Sequence, residues 1–370
     1  MQNQAQRKIT ETDLPKWAES MAPCLLDGPY KEEARTFIRA AISLENSTYG
    51  DLVRMMAAYQ MSFFYRWLER ESREDPIPLF KDFLLRSATS MQAAELVTPP
   101  ICFGHASDNP EEDISKTATH YGNLFSQFDV NHYVEEPKTL LRQRLERNGY
   151  DTKLFGNWRA LDAGCGNGRY TLAMKNLGMK EVVGVDISPI NIDNAKQRLE
   201  DRKVESVEYI QANVLDIPLA DDSFDFVFSN GVLHHTVDCA KGIKELVRLL
   251  KPGGCGYFKV MSNPGGIHWD SIEICRILLK DIPLDFCHNM FKLMNVPANL
   301  RYLYLDHMLV PINIRYTAAE CEEMLKDAGA KNIRRLVRGA DVDREERVEA
   351  GEPYMFEKYG ECANRYYFEK

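Results

Sequence analysis

The sequence predicts an α/β fold: a doubly wound, mostly parallel seven-stranded sheet, with a helical N-terminal region and a helical insertion after the fifth strand. Three observations carry that prediction. From about residue 150 onward, short apolar runs alternate with helical patterns, as parallel strands joined by crossover helices require. Residues 1–115 instead read as mostly helical, by the spacing of their apolar positions. Between Ser262 and Pro311 the alternation is interrupted by a stretch rich in large apolar groups, among them Trp269, Ile272, Ile277, Phe286 and Phe291.

The totals set the frame. A chain of 370 residues that is 44% hydrophobic can bury a proper core without covalent staples. It has no run of about 18 apolar residues, and Met1 to Thr10 is polar, so a soluble, cytoplasmic protein with no membrane partner is expected. The nine cysteines form no Cys-x-x-Cys pair and fall in apolar or helical stretches, which points to reduced core thiols and no metal site. With 55 acidic against 46 basic residues the net charge is −9, so no nucleic-acid partner is expected, although Lys331 to Arg338 is locally basic.

In the N-terminal region a helix start is expected near Asp13-Leu14-Pro15, with longer helices at Lys31 to Leu44, Thr48 to Arg70 and Leu79 to Leu96. Within the second of these, Leu52, Met55, Met56, Tyr59, Phe63 and Trp67 fall on one stripe, with Arg54, Gln60, Arg66 and Arg70 off it. That stripe predicts a face buried in a core or a subunit interface, and a homodimer is one expectation. Pro99-Pro100 stops the helical pattern, and the acidic, turn-rich Ser107 to Glu112 places a domain boundary near 115. Residues 1–115 then form an interface or substrate cap, and 116–370 the second domain, with its cap insertion at 262–311.

The second domain opens with His120-Tyr121-Gly122, Tyr133 and a helix from Pro137 to Asn148 closed by Gly149. Strands are expected at Arg159 to Asp162, Glu181 to Asp186, Val207 to Ala212, Phe224 to Ser229, Gly254 to Met261, Asn332 to Val337 and Arg365 to Glu369. Helices fall between them at Arg169 to Leu177, Pro189 to Asp201 and Cys239 to Leu250. Gly339 to Cys362 is a charged excursion before the last strand, and long additions of this kind serve as lids or binding walls. The apolar insertion is read equally well as an oligomer interface.

Open parallel sheets bind ligands outside the carboxyl ends of their strands, where strand order reverses. Four of these ends carry suggestive residues. Asp162 leads into a turn with Gly164, Gly166 and Gly168, where bare backbone can meet a nucleotide-like ligand. The next position is Arg169, so the spacing is not that of dinucleotide folds and a smaller ligand is favoured. Asp186 ends an apolar strand and can accept both hydroxyls of a ribose; the alternative is a helix cap, which Ser188 already supplies. The third end is Asn213-Val214, and the fourth Asn230-Gly231-Val232-Leu233-His234-His235.

Leu161-Asp-Ala-Gly-Cys-Gly-Asn-Gly168, Gly184-Val-Asp186, Asp216 to Asp225, Asn230 to His235 and Arg248-Leu-Leu-Lys-Pro-Gly-Gly254 together resemble the class I S-adenosylmethionine-dependent methyltransferases, in the small-molecule branch. The resemblance covers about 150–261, and Tyr316 to Gly329 more loosely. It implies a Rossmann-like sheet and S-adenosylmethionine as cofactor. Asp162, Gly164 and Gly166 would border its methionine part, Asp186 would hold its ribose and Asn213 would lie beside its adenine, with Ile187 and Val214 also at the cofactor, while Asn230 and Val232 would lie near the sulfonium. Asn213 stands where the family usually has an acid; its carboxamide oxygen can still accept from the adenine amino group. An aromatic residue from the 120–133 stretch would cover the cofactor.

The implied chemistry is methyl transfer to O, N, S or C of a small-molecule acceptor by in-line displacement. A base is needed only where the acceptor keeps its proton at neutral pH. His234 and His235 are the candidates, with Tyr121, His268 and Trp269 as weaker ones; a packing role for a histidine remains the competing reading. Arg301, His307, Arg315 and Tyr316 could hold an acceptor carboxylate. Two further classes compete: a protein or RNA methyltransferase that recognises its target through residues 1–115, and a non-catalytic, cofactor-binding assembly protein.

Overall fold

The structure is a computed structural model that describes residues 14–21, 25, 28–44, 50–70, 72–95, 131–280, 282, 287, 291, 305 and 307–370. The chain divides into two compact units, one of Met1–Ala106 with Trp269–Asn289, the other of Ser107–His268 with Met290–Lys370. Part of the insertion thus groups with the N-terminal region. The linker at Ser107 to Glu112 lies outside the described residues.

The first unit is helical: α1 (Lys16–Met21), α2 (Lys31–Ser43), α3 (Gly50–Arg70) and α4 (Pro76–Glu95). Helix α3 buries Met55 of the expected stripe in the core, but not Met56, Phe63 or Trp67. Met55, Ala58, Met61, Tyr65 and Leu68 are buried, whereas Met56, Phe63 and Trp67 are 48%, 66% and 37% exposed. Two stripes on this helix satisfy a 3.6-residue period, and the buried one contains small residues that let neighbouring helices approach. Arg54 is buried with it because its Nε and Nη2 donate to the carbonyls of Leu278 (2.6 Å) and Lys280 (2.5 Å), satisfying backbone acceptors at a helix end.

The second unit holds α5 (Glu136–Arg147), β1 (Arg159–Ala163), α6 (Arg169–Asn176), β2 (Glu181–Asp186), α7 (Pro189–Arg202), β3 (Val207–Gln211), β4 (Phe224–Asn230), α8 (Cys239–Leu249) and β5 (Leu250–Met261). After α9 (Gly266–Leu278) it resumes with α10 (Ala318–Asp327), β6 (Lys331–Arg335), α11 (Arg344–Glu349), α12 (Met355–Tyr359) and β7 (Ala363–Glu369). The sheet order is β3-β2-β1-β4-β5-β7-β6, with β7 antiparallel to both neighbours. Strand order reverses between β1 and β4, which fixes the expected ligand site there.

Both faces of the sheet are covered. Leu161, Val183, Val185, Val227 and Phe258 pack against Ile243 and Leu246 of α8 and Leu325 of α10. On the other face Ala160, Val182, Phe226, Phe228 and Tyr257 pack against Leu141 and Leu145 of α5 and Met174 of α6. This is why β1, β2 and β4 read as continuous apolar runs without alternation. The Lys251-Pro-Gly-Gly turn lies inside β5 as an irregularity, since Phe224 pairs with Leu250 but Phe226 with Cys255.

The charged 339–362 excursion is pinned by a buried ion cluster. Asp343 accepts from Nε and Nη2 of Arg144 at 2.7 and 2.8 Å and from Arg365 at 3.0 Å. Burial alone would raise its carboxyl, but the Arg144 hydrogen bonds and the two guanidinium charges hold it well below the usual carboxylate range. The basic 331–338 stretch is paired as well: Arg334 lies over the Tyr367 ring, Arg335 pairs with Glu361 and Arg338 with Glu346. Among the described residues no helix is long and apolar enough to cross a membrane, and no group of three metal-ligating side chains occurs.

Candidate active site

The turn after β1 takes three positive φ angles, 82° at Gly164, 54° at Gly166 and 85° at Gly168. The amides of Gly164 and Cys165 both donate to the Val185 carbonyl, at 2.8 and 2.9 Å, which folds the turn across the end of β2. A Cβ on Gly164 would lie 2.3 Å from Val232 Cγ1, so the turn also packs on the loop after β4. Asp162 sits beneath the turn: it is 2% exposed and accepts from Thr171 Oγ1 at 2.6 Å. Burial pushes its carboxyl up to about 7, the Thr171 hydrogen bond opposing and the Asp186 charge assisting. It anchors the first turn of α6 and is not among the residues lining the cavity described below.

Asp186 faces the cavity while serving as a local cap. Its Oδ2 accepts from Gly166 N at 2.8 Å, and its Oδ1 from Ser188 N at 2.9 Å and Asn191 Nδ2 at 3.3 Å. Burial raises its carboxyl, and these hydrogen bonds oppose that. A carboxylate offers roughly four acceptor positions, so about one remains for a ligand hydroxyl. Ser188 caps α7 by accepting from Asn191 N at 3.4 Å, and the two roles coexist. Asn213 Oδ1 accepts from Leu215 N at 2.9 Å, which uses one of that oxygen's two lone pairs.

After β4 the chain enters a short 3-10 turn, Leu233–His235. The two histidines part company there. His234 is fully buried, and burial, with His235, His307 and Lys259 nearby, drives its pKa well below the ordinary value. It is a neutral packing residue outside the cavity lining. His235 lines the cavity, and its Nδ1 lies 2.7 Å from the Ile312 carbonyl oxygen. A carbonyl only accepts, so Nδ1 carries the proton in this contact, which fixes the orientation of the ring. The segment returning from the insertion is tied in by Ile314 N to His234 O (2.9 Å) and Tyr316 N to Met261 O (3.0 Å).

These elements enclose a cavity of ≈ 370 Å³, within the range of about 300–1,000 Å³ usual for small-molecule sites. Across the sheet its wall comprises Asn213 to Leu215 after β3, Asp186 and Ile187 at β2 with Asn191 of α7, Gly164 to Asn167 after β1 with Arg169 and Tyr170 of α6, Asn230 to Val232 and His235 to Val237 after β4, and Lys259 and Met261 of β5, with His307 and Ile312; Arg169 stands on the β1 side and Lys259 on the β5 side. Bare backbone, one carboxylate with acceptor capacity, and the apolar Ile187, Val214 and Leu215 beside them suit a nucleoside bearing a charged tail. S-adenosylmethionine fits that donor set.

The structure therefore gathers Gly164, Gly166, Asp186, Ile187, Asn213, Val214, Asn230, Val232, His235 and His307 on one cavity. Asp162, His234, His268, Trp269, Arg315 and Tyr316 are not in its lining, and Tyr121 and Arg301 lie outside the described residues. Tyr133 does not line it either; its hydroxyl donates to the Asn167 carbonyl at 2.5 Å, and the Arg198 guanidinium sits 4.1 Å over its ring. Among the lining residues that sequence reasoning left unassigned are two cations, Arg169 and Lys259. The signal for Lys259 was a lone cation in the otherwise apolar Tyr257-Phe-Lys-Val-Met261.

Residues 161–258 match the family model described as a methyltransferase domain. Over 153 residues the chain is 32% identical to 27-O-demethylrifamycin SV methyltransferase of Amycolatopsis mediterranei, covering 40% of this chain and 55% of that protein. It is 33% identical over 98 residues to demethylmenaquinone methyltransferase of Bacillus velezensis, covering 26% of this chain and 42% of that protein. The chain thus spans about half the length of the curated relatives it matches. Among solved structures, a SAM dependent methyltransferase from Aquifex aeolicus aligns at 17% identity and TM-score 0.39, covering 71% of this chain and 98% of that one.

Proposed function

We propose that this chain, which carries a class I S-adenosylmethionine-dependent methyltransferase domain with S-adenosylmethionine as its cofactor, moves a methyl group to a small-molecule acceptor. The observation that carries the proposal is the single cavity on which the glycine turn, Asp186 and the oriented His235 meet. The names of the two relatives specify small-molecule acceptors, which supports this reading.

The cofactor supplies a methyl group already activated on a sulfonium. The chain supplies placement and proton removal. Backbone of the Gly164 to Asn167 turn and the Asp186 carboxylate hold the nucleoside, with Asn213 and Val214 beside its base. His235 Nε2 accepts the proton of an acceptor hydroxyl, amine or thiol, while the Ile312 carbonyl keeps the ring in the required tautomer. Val232, Met261 and Ile312 supply the apolar wall that limits water at the transfer.

Incubation of the protein with methyl-labelled S-adenosylmethionine and a metabolite extract, followed by mass spectrometry, tests this reading. Label is expected in a low-mass product. Label found only in protein or RNA overturns the small-molecule assignment.

A further inference from the structure

We infer that Lys259 is the residue by which the cavity recognises an anionic oxygen group, such as a carboxylate, on an otherwise apolar methyl acceptor; this rests on the methyl-transfer reading above. Lys259 lies on the cavity wall near the end of β5, in register with Asn230 on β4 and Arg365 on β7. Its carbonyl accepts from Gly231 N at 3.0 Å, which fixes its backbone against the loop that carries His235. No hydrogen bond or ion pair of its Nζ falls among the described residues.

The surroundings do not neutralise it. Behind it stand Arg144 and Arg365, and the two acids of that cluster are already engaged: Asp343 with both arginines, Glu345 with Arg365 at 3.2 Å. Among these described neighbours three cations, Lys259 included, share two carboxylates. Lys259 is half-buried, and a partly desolvated charge on a cavity wall favours a counter-ion beside it. Burial, with Arg365 and Arg144, lowers the ammonium to about 8 against the pull of Asp343 and Glu345; His234 is a further titratable neighbour, and His235 and His307 share the cavity, so the side chain is still mainly a cation at pH 7.

An incoming anion can come from the cofactor or the acceptor. In the strand order β5 stands two places from β1, about 10 Å at ordinary strand spacing. The glycine turn that borders the cofactor is on β1, whereas His235, Met261 and Ile312 share the Lys259 side of the cavity. The acceptor is therefore the source of the anion.

Calorimetry on the full chain saturated with S-adenosylhomocysteine tests this with benzoate and its neutral isostere benzamide as probes. Benzoate is expected to bind the wild-type chain at least tenfold more tightly than benzamide. In Lys259→Met the preference is expected to fall to within twofold, in Lys259→Arg to stay above threefold, and S-adenosylhomocysteine affinity to stay within twofold throughout. Benzamide matching benzoate on the wild type, including no binding of either, overturns the inference without any variant having to fold. A preference that persists in Lys259→Met also overturns it, as does a tenfold loss of S-adenosylhomocysteine affinity, which would assign the anion to the cofactor. Failure of the wild type to bind S-adenosylhomocysteine would remove the methyl-transfer reading instead.

Discussion

The two sides of the cavity are built by different means. On the β1 to β3 side each residue is placed by bonds reaching only a short way along the chain or to the adjacent strand, as with Asp186 to Ser188 and Gly166, and Asn213 to Leu215. On the β4 to β5 side the placing bonds join distant parts of the chain: His235 is set by Ile312, and the setting of Lys259 by Arg144, Asp343 and Arg365. A strand-to-turn motif can specify the first kind of site by itself. The second kind exists only once the insertion and the last strand have returned to the sheet.

If that contrast is real, the distant cluster should matter most to stability. Asp343→Ala leaves two guanidinium groups buried without their shared acid, and a loss of about 3–5 kcal/mol is expected in denaturant unfolding. A loss under about 1 kcal/mol would mean the cluster does not hold the β5 side together.

On that same side, His235→Ala should lower kcat by about 10²–10³-fold with cofactor affinity unchanged. His234→Ala should affect stability more than turnover, because His234 is buried away from the cavity. Equal turnover loss in both variants would erase the distinction between the two rings.

Beneath the β1 turn the expected effect is one of pH. The Asp162 carboxyl, raised to about 7 by burial, keeps its proton in the folded chain where the unfolded chain has already released it, from about pH 4 upward. Its contribution to stability therefore falls as pH rises through that window to 7. Asp162→Asn removes the titration, so its stability relative to wild type should rise by about 2 kcal/mol between pH 5 and 8. A flat difference across that range would show that Asp162 does not titrate there.

The smallest change concerns the adenine contact. Asn213→Asp keeps the acceptor for Leu215 N and exchanges an amide donor for a second carboxylate oxygen. S-adenosylmethionine should bind about threefold more tightly, under 1 kcal/mol, in calorimetry. Weaker binding would mean that the amide nitrogen of Asn213 makes the contact.

Much of the fold was legible because it depends on local pattern. The seven observed strands fall within a few residues of those expected, and the helix caps at Gly149 and Ser188 stand where the sequence puts them. The core face of helix α3 was only partly legible, because a periodicity marks a face without saying which of two candidate faces meets a neighbour within the chain. Asp162 was placed at the ligand because it starts the glycine turn, yet strand alternation directs it toward Thr171.

What the sequence by itself made legible on the β1 to β3 side is a glycine turn, an acid and an amide, each at a strand end and held by bonds along the chain or to the adjacent strand. Their placement follows from backbone preferences and from the pairing of neighbouring parallel strands. What only the tertiary structure decided is which histidine lines the cavity and that Lys259 reaches it. Burial, tautomer and uncompensated charge are properties of surroundings, and here Ile312, Asp343 and Arg365 bring those surroundings from 77 or more residues away along the chain.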